Sequence, residues 1–103
     1  MPSPILSPAE VDRCRANLEE LLRRQGGLQH LAVRKHGTAL VLYTLVDQER
    51  VNEARLTAVS RTRWRLDMPL HTGKWQATPF EGSMAEVFAT LTNELAPFIS
   101  PLE

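Results

Sequence analysis

The apolar positions of this chain recur at a helical spacing, then at every second residue, then at a helical spacing again. Near the start, Val11, Cys14, Leu18, Leu21 and Leu22 form one stripe of a helix. Ser7-Pro8-Ala9-Glu10 supplies its beginning, with Ser at the N-cap, Pro at the first helical position and Glu three residues on to complete a capping box. Leu6 and Val11 stand where a hydrophobic staple closes around that cap. Gly26-Gly27 is expected to stop the helix, because glycine takes the left-handed C-cap conformation without steric cost.

Period-two patterning follows, with strands expected near 28–35, 39–46, 53–60, 63–68 and 74–78. Lys35-His36-Gly37-Thr38 is a tight connection, Asp47 to Asn52 a longer polar loop, and Ser60-Arg61-Thr62 a third turn. None leaves room for a crossover helix, so an antiparallel meander is the economical topology. The last two strands make a hairpin through Pro69-Leu70-His71-Thr72-Gly73. Alternation puts Trp64, Leu66 and Met68 on one face and Arg63, Arg65 and Asp67 on the other, and both Trp64 and Trp75 are expected to point into the core. The 39–46 segment is apolar at both parities and reads as a central strand.

After an expected turn at Thr78-Pro79-Phe80-Glu81-Gly82, Ser83-Met84-Ala85-Glu86 forms a second capping box. Met84, Val87, Phe88, Leu91 and Leu95 give the second helix its stripe, and Pro97 ends it. The reading is a single α+β domain over residues 1–103, in the order α-β-β-β-β-β-α. An antiparallel meander sheet of about five strands carries two helices on one face. The expected core is Val11, Leu18, Leu21, Leu22, Trp64, Leu66, Trp75, Val87, Phe88, Leu91 and Leu95.

Composition fits that picture. A chain of 103 residues buries about 65% of the surface its unfolded form exposes. Twelve basic and twelve acidic side chains cancel, so no global field draws the molecule to nucleic acid or anionic lipid. The charge is unevenly placed, however. Residues 28–75 hold eight basic and four acidic side chains, and residues 76–103 hold four glutamates and no base. Cys14 is the single cysteine, which excludes an internal disulfide and fits a reducing compartment. With no basic n-region and apolar h-region at the start, and no apolar run long enough to span a bilayer, the cytoplasm is the default location.

Catalytic patterns are weak. His30, His36 and His71 show no metal-ligand spacing, and His36 and His71 fall in turns. Ser60, Asp67 and His71 are close in sequence but lack a nucleophile elbow. Cys14 lies on a buried helical stripe, where an apolar setting silences a thiol. Glu10, Asp12, Glu19 and Glu20 share a helix with arginines and read as solvated charge. No phosphate-cradling loop of the Walker type occurs. No cofactor or small-molecule substrate is expected. An enzyme would need one of the histidines to meet a carboxylate in a pocket.

The basic hairpin is the more informative feature. Arg61, Arg63, Arg65, Lys74 and Gln76 are expected together on its outward face, with Arg55 and Thr57 on the preceding strand. Arginine forks grip carboxylates and phosphates. These residues are the candidate partner-binding set of a non-catalytic module that recognises a protein or a second copy of itself through the outer sheet face. Nucleic-acid binding through the same residues is the alternative, although base stacking needs aromatics that both tryptophans are here expected to withhold. If an outer row such as Leu40, Leu42 and Val46 stays exposed, self-association follows; otherwise Phe98, Ile99 and Leu102 cover it.

Overall fold

The computed structural model describes residues 6–25 and 30–93. Helix α1 (Pro8–Arg24) precedes strands β1 (Ala32–His36), β2 (Ala39–Val46), β3 (Glu49–Ala58), β4 (Trp64–Pro69) and β5 (Trp75–Gly82), and helix α2 (Met84–Asn93) follows them. Each strand pairs antiparallel with the next in the order β1-β2-β3-β4-β5. The α+β meander with two flanking helices is therefore as the patterning predicts.

Both capping boxes form. The Ser7 hydroxyl accepts from the Glu10 amide at 3.2 Å while the Glu10 carboxylate accepts from the Ser7 amide at 3.1 Å. At α2, the Ser83 hydroxyl accepts from the Glu86 amide at 3.2 Å and the Glu86 carboxylate from the Ser83 amide at 3.0 Å. Each box satisfies amides that a helix start otherwise leaves without partners. Leu6 and Val11 are both buried around the first cap. At the other end of α1 the Gln25 amide donates to the Leu21 carbonyl. The expected stop at Gly26-Gly27, and Leu95, Pro97 and the tail at 94–103, lie outside the described residues.

Helix α1 packs on β1, α2 packs on β4 and β5, and the helices touch each other. They lie on one sheet face, because Leu18, Leu22, Val87, Phe88 and Leu91 share a single buried cluster with Val33, Leu40, Leu42, Leu56, Trp64 and Leu66. The strand members form rungs: Val33 faces Leu42, Leu40 faces Leu56, Leu56 faces Leu66 and Ala58 faces Trp64. Gly82 completes the last rung opposite Trp64. An added Cβ there would come within 3.1 Å of the Glu86 Cβ, so a larger residue would require the Glu86 side chain to shift where β5 turns into α2.

Several expectations are corrected. Leu40 and Leu42 are fully buried on the helix side, and the outer row of β2 is Ala39, Val41, Tyr43 and Leu45. Val46 shares the parity of Leu40 and is half exposed. The polar segment from Asp47 to Asn52 is mostly strand, and the turn is only Asp47-Gln48, both at positive φ as a two-residue hairpin turn demands. Its polarity misleads because β1 pairs with β2 only up to Tyr43 and β4 pairs with β3 only from Arg55. The hairpin end thus projects from the sheet, with neither neighbour flanking it.

The segment Thr78 to Gly82 is also strand, not turn. Two extra residues on β5 bulge away between Ala77 and Glu81. Thr78 fills the gap, its hydroxyl donating to the Leu66 carbonyl at 2.7 Å and accepting from the Phe80 amide at 3.2 Å. Pro79 is tolerated because β5 is an edge strand.

The largest correction concerns Trp75. It faces Pro69 across the hairpin and shares the parity of Asp67 and Ala77, so it lies half-buried on the outer face. Hairpin register decides this. The Gly73 amide donates to the Leu70 carbonyl, Gly73 takes φ 88°, and the Leu70 amide closes the loop on Lys74. That loop fixes which parity of β5 meets which parity of β4.

Trp64→Ala is predicted to cost about 3–5 kcal/mol in urea unfolding, and Trp75→Ala distinctly less. Equal losses would contradict the assignment of the two indoles to opposite faces.

Candidate functional site on the outer sheet face

Among the described residues no helix covers the face opposite α1 and α2. Charged and aromatic side chains occupy it in two groups.

The first group gathers on Asp67, which has no exposed surface. Direct cross-strand pairing sets Arg55 opposite Asp67 and Thr57 opposite Arg65. Asp67 accepts from Arg55 Nε at 2.9 Å, from Thr57 Oγ1 at 2.5 Å, and from Arg65 through Nε at 2.8 Å and Nη2 at 3.4 Å. Burial pushes this carboxyl up, and the bonds from Arg65, Thr57 and Arg55 more than reverse it, so its pKa lies below the usual carboxylate value. The Arg65 guanidinium is in turn held more firmly protonated by Asp67. Trp75 covers the group from the edge, with the Arg55 guanidinium 4.8 Å from its ring centroid.

The second group surrounds Tyr43. Its register neighbours are Ala32 on β1 and Asn52 on β3, beside a bulge in β3. Arg34 Nη2 donates to Asn52 Oδ1 at 3.4 Å, and Arg50 lies over the Tyr43 ring at 5.7 Å from its centroid. Among the described residues neither arginine has an ion pair, and Arg34 Nε is buried with no hydrogen-bond partner among them. Glu53, almost fully buried, sits at the bulge. Val41, 2% exposed, stands between Arg34 and Arg55 in register, whose long stems can lie across it.

The six sequence-predicted residues are therefore dispersed. Arg55 and Arg65 share the outer face and both engage Asp67. Arg63 donates to Glu81 at 2.9 Å, and Glu81 stands opposite Arg65. Arg61 does not join this face: it donates to Glu10 at 2.7 Å, tying the β3–β4 turn to the first helix cap. Lys74 is exposed in the β4–β5 loop. Gln76 pairs with Met68 and so belongs to the helix-side parity, which corrects its expected placement. Reading by sequence missed Arg34, Tyr43, Arg50 and Asn52 as a group. Alternation along β1 already gives Arg34 its parity; the two-residue turn at Asp47-Gln48, which brings Arg50 back beside Tyr43, was the missing step.

Elsewhere the chemistry is structural. Lys35 reaches Asp12 of α1 at 2.5 Å, and this bond holds the Asp12 carboxyl below its usual pKa. Cys14 packs half-buried against the core, and burial raises its thiol pKa. Among the described residues no three His, Cys, Asp or Glu side chains gather as a metal site, and no helix is long and apolar enough to cross a membrane. Comparison with protein families, curated proteins and solved structures finds no match to this chain.

Asp67→Asn is predicted to lower stability by about 2–4 kcal/mol near neutral pH, since it removes a carboxylate on which two guanidinium groups converge. An acid with a depressed folded-state pKa adds stability that is complete above the unfolded value, about 4, and lost as pH falls through the folded one. The gap between wild type and Asp67→Asn should therefore persist at neutral pH and narrow below about pH 4. Urea titrations at a series of pH values check this, and a constant gap would refute it.

Proposed function

We propose that this protein is a non-catalytic module that recognises a protein partner through its outer sheet face. The observation that carries this reading is the pairing of outward aromatics with arginines, Trp75 with Arg55 and Tyr43 with Arg50, on a face that neither helix covers. Tyrosine, tryptophan and arginine are the residues that dominate binding energy at protein interfaces. They offer wide contact area with few rotatable bonds, and here their geometry is set by the sheet. Exposed Leu45 extends the same row at the projecting hairpin.

Nucleic-acid binding is the second reading, favoured by one specific observation: Trp75 and Tyr43 lie on the arginine-bearing face, as base-stacking sheets require. Against it, Arg55, Arg61, Arg63 and Arg65 are engaged by carboxylates of the protein itself. Phosphates would have to compete for them. With Arg34, Arg50 and the exposed Lys74 left to contact phosphates, log affinity would fall with log salt at a slope of about −3.

A photo-crosslinking residue at position 43, compared with one at the exposed Ala85 of α2, tests the first reading in extracts of the source cells. A discrete protein adduct from position 43 and none from position 85 is expected. An adduct of twice the chain mass would make the partner a second copy. Adducts from position 85 alone, or from neither site, would overturn the reading. Saturable binding of oligonucleotides at low salt, lost on Tyr43→Ala, would replace it with the second.

A further inference from the structure

We infer that the Arg34–Tyr43–Arg50–Asn52 group is a receptor for a side-chain carboxylate, so that the partner presents an acidic segment to the β1–β2–β3 half of the outer face. This rests on the protein-binding reading above and adds the chemistry of the partner.

The molecule supplies its own template. On the β3–β4 half of the same face, Arg55, Arg65 and a hydroxyl close around the carboxylate of Asp67 at 2.5 to 2.9 Å, with an indole stacked beside one guanidinium. On the other half, Arg34 donates to the Asn52 side chain, which stands opposite Tyr43, and Arg50 lies over the Tyr43 ring; among the described residues neither arginine is ion-paired. Arg34 Nε is buried without an acceptor. A buried donor left unsatisfied costs free energy that an incoming acceptor recovers. A carboxylate matches a guanidinium fork in plane and charge.

Charge selects the occupant. On this face Arg34, Arg50, Arg55, Arg63 and Arg65 outnumber Glu53, Asp67 and Glu81. A two-fold pairing with a second copy centred on this group would oppose Arg34 and Arg50 to their own equivalents, which electrostatic complementarity disfavours. A polyphosphate backbone spanning the face would meet the exposed Glu81 as well as the arginines. An acidic peptide places one or two carboxylates at the open group and leaves the closed one undisturbed.

The test uses fluorescein-labelled octaglutamate, octalysine and octathymidylate, with fluorescence anisotropy at low salt and nitrogen-15 NMR of the arginine Nε–H groups. Octaglutamate is expected to bind and to shift the Arg34 and Arg50 signals, with Arg55 and Arg65 unmoved. Arg34→Gln and Arg50→Gln should each weaken it about fivefold, while Arg13→Gln on α1 leaves it unchanged; circular dichroism and melting verify that each variant folds. Absent binding, equal binding by the variants, tighter octathymidylate binding lost on the same substitutions, or a dimer broken by them would each overturn the inference. If position 43 still crosslinks its partner in the Arg34→Gln and Arg50→Gln variants, the binding face stands and only its preference for carboxylates fails.

Discussion

Asp67 is the interaction on which the outer face depends. It has no exposed surface although it lies on the side that neither helix covers. A buried carboxylate is tolerated only when donors compensate its lost hydration, and here Arg55, Arg65 and Thr57 all do so. Because Arg55 stands opposite Asp67 and Thr57 opposite Arg65, the cluster also locks the β3–β4 register. A slip of one residue would turn Asp67 into the apolar face beside Leu56 and expel Leu66 to the outer one. Charge on one side and leucine on the other thus enforce the same pairing.

The wider consequence is a division of labour among the arginines. Arg61 pins a turn to the Glu10 capping box, Arg63 joins β5 through Glu81, and Arg55 and Arg65 hold Asp67. All but the Arg65–Asp67 bond connect separate elements, so much of the basic middle of the chain is already paired within the protein. Among the described residues Arg34 and Arg50 stand apart, meeting an amide oxygen and a tyrosine ring and no carboxylate. Function is sought at that residue of uncommitted charge.

Much of the fold was legible because local rules and global packing agree. Both capping boxes, the helical stripes and the strand order follow from spacing alone. The failures have a common physical origin. Polar residues at 47–52 resemble a loop because the hairpin end has no neighbouring strand to demand apolar ones, and Pro79 resembles a turn because only an edge strand can accept it. Trp75 resembles a core residue by size. Its facing is set by loop closure at Gly73, a geometric property that residue type does not report. The candidate site was legible only in part, since alternation sorts side chains by face but gives neither their partners nor the cross-strand rung on which each stands. Arg61 and Arg63 occupy one stretch of sequence and yet reach carboxylates on different elements.

Single-tryptophan variants measure most directly whether one sheet face is covered and the other open. Trp64→Phe leaves Trp75 as the reporter and Trp75→Phe leaves Trp64. Acrylamide quenching should be markedly stronger for Trp75, with its emission at longer wavelength, while Trp64 stays shielded until the protein unfolds. Equal shielding of both indoles would mean that the outer face is closed, and the account of this protein as a one-sided sheet with a recognition surface would fail.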